Sequence, residues 1–418
     1  MAEIKAIRPL RYTKAAGVLA DNVCPPYDII SDAERQALID GSEYNLVRLE
    51  KPEGEERYKE AAVLLDKWLE AGILKRDDEE GIFVYSEEFT AYGQKYVFSG
   101  IICLCKLYPF SEKVVLPHEE TLSKAKADRF ELMKTTFCNF SSIYSLYLDE
   151  EGTVPSIIAK VEEGKPEQEF TDNEGVTHRL WKISDKATID TIVKALAPKQ
   201  FFIADGHHRY ETGLNFRNYM AENNLLEGTN GDYIMMTLVD MDNEGLVIFP
   251  THRLIRDMEI DKKALLDKCA ADFEIIEKDD VSEVEKVLDS YKDRHAYGLY
   301  TGGKGFTLLV KKEEMPDIGD GGLSALDVSV LHNEILEKQL GIDKVNMANQ
   351  VNLTYTRVID EAIESVKTGK ASAAFILNPT KVGEIKNVSL AGGKMPQKST
   401  YFYPKLKTGL LINTITER

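Results

Sequence analysis

The sequence predicts a mixed α and β protein of the α+β class built on a mixed sheet, and three patterns carry that expectation. Capped amphipathic segments alternate with runs rich in β-branched and aromatic residues. Two such runs flank a Gly-Gln dipeptide, and one apolar run stops abruptly in a polar turn that opens a helix.

Taken in order, Ser31-Asp32-Ala33-Glu34 reads as a capping box, with Gly41 placed for a left-handed stop. Tyr58, Ala62, Leu65 and Leu69 share one helical face before Gly72, which predicts a core-packed helix over 56–71. Two β-rich runs over 82–107 flank Gly93-Gln94, a pair suited to a hairpin turn. The stretch 117–136 is polar and helical. The acidic stretch 150–173, with Pro155 and Pro166, reads as a loop leading to a helix over 187–196. A strand follows at 201–204, and 233–249 reads as a hairpin about Asp242-Asn243. Helical and strand signals then alternate to the end. Two domains are expected, a catalytic region over 1–258 and an α/β region over 259–418 that lends a basic loop to the site. No repeat of 20 to 50 residues and no low-complexity tract is present.

Composition narrows the function. The 418 residues carry a net charge of −18, which repels polyanions, so nucleic acid is not an expected partner and any anion site must be a local basic pocket. No apolar stretch reaches the ~18 residues of a membrane span, and the start lacks a signal core, so a cytoplasmic protein without membrane attachment is expected. The five cysteines form no even framework. Cys103 and Cys105 fall on one strand face, where structural thiols are favoured over a metal pair.

The strongest chemical signal is Asp205-Gly206-His207-His208-Arg209, at the junction of the strand and the next helix. Asp205 can cap that helix, Gly206 lets a ligand approach the backbone, and the first amides meet the positive end of the helix dipole, where phosphate binds. Arg209 adds a bidentate clamp. The competing reading makes Asp205 a simple cap and the histidines surface residues. Adjacent histidines point ~100° apart on a helix and do not ligate one metal as an i,i+4 pair does.

A second constellation is His118-Glu119-Glu120-Thr121 followed by Lys124, Lys126, Asp128 and Arg129, which mixes a base, carboxylates and phosphate-binding cations. A solvated charged helix explains the same run. A third is the basic loop 394–405, in which Lys398, Ser399 and Thr400 can hold a phosphate or its Mg²⁺, while the tyrosines either stack on a base or fill the sheet. Arg253 is a further phosphate-binding candidate, and His118, Glu211, His252 and Gln397 are candidates for the rest of the pocket lining.

Four separated motifs carry a resemblance across the whole chain: Pro25-Pro26-Tyr27-Asp28, the segment 118–129, Asp205 through Thr212, and Met395 through Phe402. Together they resemble the bacterial and archaeal family called domain of unknown function 1015. The central motif is also similar to the ParB and sulfiredoxin superfamily, which includes free serine kinases with a like Asp-Gly-x-His-Arg run. That resemblance implies a strand-turn-helix phosphate site with Gly206, His207, His208 and Arg209 at the phosphates and Asp205 at magnesium or proton handling. The chain is far longer than a lone nucleotide domain and shows no helix-turn-helix reader, so DNA partitioning is not expected.

The resulting expectation is a phosphotransferase acting on a small hydroxy metabolite, with free serine or O-phosphoserine the substrate by analogy, in either the kinase or the phosphatase direction. Asp205, His207, His208 and Glu119 are the expected catalytic groups, Asp205 also the Mg²⁺ ligand, and ATP or ADP the nucleotide. A small phosphorylated metabolite or nucleotide is the expected partner, with a homo-oligomer also compatible. A nucleotide-binding regulatory module without turnover is the alternative, and a metal-dependent hydrolase a third.

Overall fold

The computed structural model describes residues 1–418 apart from 120, 122, 314–318, 397 and 418, and apart from the side chains of 123, 124 and 348. The chain divides into two compact units. The first holds Met1–Pro117, Thr121–Val247 and Pro404–Arg418, and the second holds His118–Glu120 and Ile248–Tyr403.

The first unit is built on a nine-stranded mixed sheet. From one edge run Val115–Leu116, Phe201–Asp205, Ile143–Tyr147, Tyr233–Asp240, Gln94–Lys106, Ile82–Ala91, Thr177–Ile183 and Gln168–Thr171, with Ile4–Lys5 also paired to Gln94–Lys106. Phe201–Asp205 is parallel to Val115–Leu116 and antiparallel to Ile143–Tyr147, which in turn is parallel to Tyr233–Asp240. Ile101, Cys103 and Cys105 alternate along one strand into a single apolar cluster with Phe201, Ile203, Tyr210 and Ile192. A separate cluster gathers Leu10, Leu46, Leu65, Trp68, Leu132 and Phe140.

The capping box is present: Ser31 and Glu34 exchange both bonds at the start of the helix Asp32–Gly41. Gly41 closes that helix without a left-handed turn, since the chain leaves through an extended Ser42. The helix Arg57–Glu70 buries Ala61, Leu65 and Trp68, a face one residue off from that expected, and Tyr58 stays half-buried. The hairpin turns at Tyr92-Gly93, where φ is 50° and 71° and Ala91 faces Gln94, so the glycine is the second turn residue.

Two expectations about whole elements are also overturned. The stretch 150–173 contains the helix Thr153–Glu162 and the strand Gln168–Thr171. Pro155 lies in the first helical turn, where it forfeits no intrahelical bond, and the Asp149 carboxylate caps that turn through Val154 N at 2.9 Å. Tyr233–Asp240 forms no hairpin with the segment that follows; both its edges are taken by Gln94–Lys106 and Ile143–Tyr147.

The second unit carries six antiparallel strands in the order Phe273–Lys278, Phe306–Lys311, Ala296–Tyr300, Ala373–Leu377, His252–Ile255 and Leu353–Thr356. Both faces are covered. Ile255, Leu299, Leu309, Phe375 and Leu377 enter one apolar cluster, while their strand neighbours Leu254, Tyr300, Leu308, Ala374 and Ile376 enter another. This explains why Ala373–Leu377 is an unbroken apolar run rather than an alternating one. No helix among the described residues is long and apolar enough to cross a membrane.

Candidate functional site

The strand Phe201–Asp205 buries its first four residues and delivers Asp205 to its half-buried end. Gly206 then turns with φ 98° and ψ 26°, and the helix His207–Glu222 begins. That helix is held close to the sheet: a Cβ on Gly213 would meet Ile234 at 2.7 Å, and the Tyr210 hydroxyl accepts from Tyr108 N at 3.0 Å and donates to Tyr108 O at 2.9 Å.

Asp205 does not cap the helix. One of its oxygens accepts from Arg209 Nη2 at 2.6 Å and the other from Lys405 Nζ. Burial alone would raise the Asp205 carboxyl, but Lys405, Arg209 and His207 outweigh it and hold the group well below the usual carboxylate range. Arg209 also donates through Nη1 to Ser142 O at 2.5 Å. Its guanidinium therefore lies beneath Gly206, so what the glycine admits to the backbone is Arg209.

Arg129 is buried on the helix Ser123–Thr136. It donates to Asp128 Oδ2 through Nε and Nη2 at 2.9 and 2.6 Å and to Glu50 O at 2.6 Å, and its guanidinium covers the Tyr27 ring at 4.1 Å. The Tyr27 of the Pro-Pro-Tyr-Asp motif thus meets the cation of the 118–129 segment. Burial opposes the Arg129 charge, yet Glu50 and Asp128 raise its pKa. Burial pushes the Glu50 carboxyl upward against Arg129 and Arg209 and against the hydroxyl of Ser141, which donates to it at 3.0 Å. Lys126, on the same helix, pairs with Glu211 at 2.6 Å, and Thr121 donates to the same Glu211 oxygen at 2.8 Å.

A buried polar network in the first unit is marked by no motif or spacing in the sequence. Tyr85 donates to Glu87 at 2.6 Å and lies 2.7 Å from His178 Nδ1, while His178 Nε2 faces Asp172 at 3.1 Å and Lys407 pairs with Asp172 at 2.6 Å. Burial lowers the His178 pKa, but Asp172 and Glu87 more than reverse that and raise it. Tyr144, the register partner of Asp205, feels both Glu87 and Asp205. A fully buried Glu87 inside an apolar strand was the available clue. Lys405 closes the basic loop 394–405, but its partner Asp205, like the Asp172 partner of Lys407, is reached only through the chain's return, and Glu50 meets Arg129 79 residues away.

The remaining candidates lie in the second unit, where two expected constellations meet. His118 Nε2 lies 3.1 Å from Thr400 Oγ1, and Glu119 accepts from Lys398 N at 3.4 Å. Ser399 donates to Pro396 O at 2.5 Å, and Lys398 is exposed with φ 59°. Arg253 is buried, donating to Thr251 O and, at 3.2 Å, to His332 Nε2. His252 Nδ1 accepts from Leu377 N at 3.3 Å, and burial with the Arg253 charge draws its pKa down to about 4. Glu120, Gln397 and the side chain of Lys124 lie outside the described residues.

A Mg²⁺ ion on Asp205 fits this arrangement poorly, since both carboxylate oxygens already carry a cation. Among the described residues no group of three or more His, Cys, Asp and Glu side chains gathers as a metal site elsewhere.

No curated protein matches this chain. Among solved structures it is similar to a conserved hypothetical protein from Pyrococcus furiosus, at 14% identity over 71% of this chain and 92% of that one, TM-score 0.35. A free serine kinase variant in complex with AMP aligns at 14% identity over 71% and 89%, TM-score 0.36. SbnI from Staphylococcus aureus, truncated at its C-terminus, aligns at 8% identity over 74% and 87%, TM-score 0.36. The profile of the family of proteins of unknown function DUF1015 matches residues 4–329, most of the chain, and the protein belongs to that family.

Proposed function

We propose that this protein is a phosphotransferase whose anion site is the turn Asp205–Arg209, acting on a small hydroxy metabolite. Free serine and its phosphate ester O-phosphoserine are the substrate pair. The observation that carries the reading is the convergence of Arg209 and Lys405 on Asp205 at the start of a sixteen-residue helix. Two cations meet one carboxylate beside the positive end of a helix dipole in a chain of net charge −18, and the other acid that faces Arg209, Glu50, has its carboxyl pushed up by burial. Such a site favours the charge that spreads over a phosphoryl group in transfer, and fixed cations supply that stabilisation without reorganisation.

Asp205, ionised and twice paired, is a weak proton acceptor, so its part is to fix Arg209 and Lys405. His207 and His208, on the first turn, are the groups suited to proton transfer at neutral pH. In the kinase direction the donor's P–O bond breaks, the substrate hydroxyl oxygen bonds to phosphorus, and a histidine takes the hydroxyl proton. With water as acceptor the same groups hydrolyse the ester. ATP or ADP is the proposed donor. The test is incubation of the protein with free serine and ATP or ADP, followed by mass spectrometry for O-phosphoserine. A product that requires the protein and the nucleotide supports the reading, and its absence with both nucleotides contradicts the kinase direction.

A non-enzymatic nucleotide switch is the second reading. It rests on the same cations, Arg209 bonded to Asp205 and Ser142 O and Lys405 bonded to Asp205, since binding without turnover needs cations and amides but no proton acceptor. Nucleotide binding by titration calorimetry without turnover would select it.

A further inference from the structure

We propose that a cavity in the second unit binds a small organic anion bearing an aromatic or apolar part. The cavity has a volume of about 360 Å³ and is lined by Lys344, Lys394, Ser329, Asn333, His332 and Tyr355, with methionine, leucine and proline between them. That volume suits a small metabolite. Among the described residues that line it there are two lysines and no carboxylate.

The second observation is Arg253, behind the wall. Its residue exposure is 1%, its Nε donates to His332 Nε2 at 3.2 Å, and its guanidinium lies 5.3 Å from the Tyr355 ring centre. Both of those neighbours line the cavity. Among the described residues, Arg253 Nη2 has no hydrogen-bond partner. Burial draws the guanidinium down to about 10, and Tyr355 alone opposes that shift, so no carboxylate compensates the charge. A buried cation without a counterion is costly to keep, and a bound anion would balance it.

Accepting from Arg253 through Nε2 leaves the His332 proton on Nδ1, so the imidazole is neutral and a donor. His332 sits on a π-helical segment, Leu331–Glu337, a geometry that recurs at functional sites. Asp320, which is not among the lining residues, accepts from Gly322 N at 3.0 Å and Ser324 N at 2.9 Å and from the Ser324 hydroxyl. The cations would meet the anionic group, and Tyr355, Met347 and Met395 its apolar part. The site shares no lining residue with the turn at Asp205.

The test is titration of the full chain with phenyl phosphate, benzoate and inorganic phosphate, read by calorimetry and by the thermal midpoint. Saturable binding of phenyl phosphate or benzoate is expected, weakened about tenfold or more when Lys344 and Lys394 are both changed to alanine. Lys405→Ala should leave it within about twofold. Tyr355→Leu should weaken the aromatic anions more than inorganic phosphate. Arg253→Met should raise or preserve the midpoint of the unliganded protein and abolish binding. No saturable binding of any aromatic anion, or binding unchanged in the double lysine variant, would overturn the proposal. The double lysine variant decides the question should Arg253→Met fail to fold.

Discussion

The guanidinium of Arg209 lies so close beneath Gly206 that a Cβ there would sit 3.0 to 3.1 Å from its atoms. Glycine is needed twice at this position, once for φ 98° and once for the arginine. Gly206→Ala is therefore expected to cost roughly 1–3 kcal/mol in strain, measured by urea unfolding, and to displace Arg209. A loss below about 0.5 kcal/mol, typical of a neutral surface change, would contradict this geometry.

Asp205 should give stability a measurable acid limb. Its folded carboxyl is held below the unfolded value of about 3.9. The contribution is therefore complete above that value and lost as pH falls through the lower folded one. Asp205→Asn should lose roughly 3 kcal/mol at neutral pH, the scale for breaking a buried pair. The gap between native and variant, followed by urea unfolding from pH 7 to pH 2.5, should narrow below about pH 4. A constant gap would show that the ion pairs are not its source.

His178 predicts the opposite slope. Asp172 and Glu87 raise its folded pKa above the unfolded value of about 6.5. Its stabilisation is present below that pH and is lost as pH rises through the folded value. His178→Gln should cost roughly 1–3 kcal/mol at pH 6, and the difference should shrink toward pH 9. Unfolding midpoints of both proteins across that interval measure it. A difference growing with pH would contradict the assignment.

Lys405 separates the proposed chemistry from the scaffold. Its side chain is 10% exposed and its charge is met by Asp205. Lys405→Ala should lower turnover about tenfold or more, equivalent to ~1.4 kcal/mol of transition-state stabilisation. Lys405→Arg should restore part of it. Equal activity in all three proteins, with a native circular dichroism spectrum, would remove Lys405 from the site.

The strand and helix around Asp205 were legible because an apolar run that halts in Asp-Gly-His-His-Arg announces both a strand end and a helix start. The partner of Asp205 was not legible. Lys405 lies 200 residues away and reaches Asp205 only after the chain has built the second unit and returned. Local pattern failed where context overrode it. Pro155 and the acidic residues around it disguised the helix Thr153–Glu162, although a proline in a first turn is harmless. Tyr233–Asp240 was readable as a strand, but alternation names no pairing partner. Glu87 and His178 occupy strand positions where an apolar residue would be expected, and their mutual pairing is what makes that tolerable.

The most direct measurement is the conversion of O-phosphoserine to serine, with and without Mg²⁺ and ADP or AMP, assaying both inorganic phosphate and the phosphorylated nucleotide and comparing the native protein with Asp205→Ala, Arg209→Ala and Lys405→Ala. Phosphotransfer at this turn predicts serine formation by the native protein and its loss in folded forms of all three variants, with ATP formed from ADP, or ADP from AMP, marking reversed kinase action and inorganic phosphate marking hydrolysis. No serine formed by the native protein under any of these conditions, or conversion undiminished in the folded variants, would contradict it.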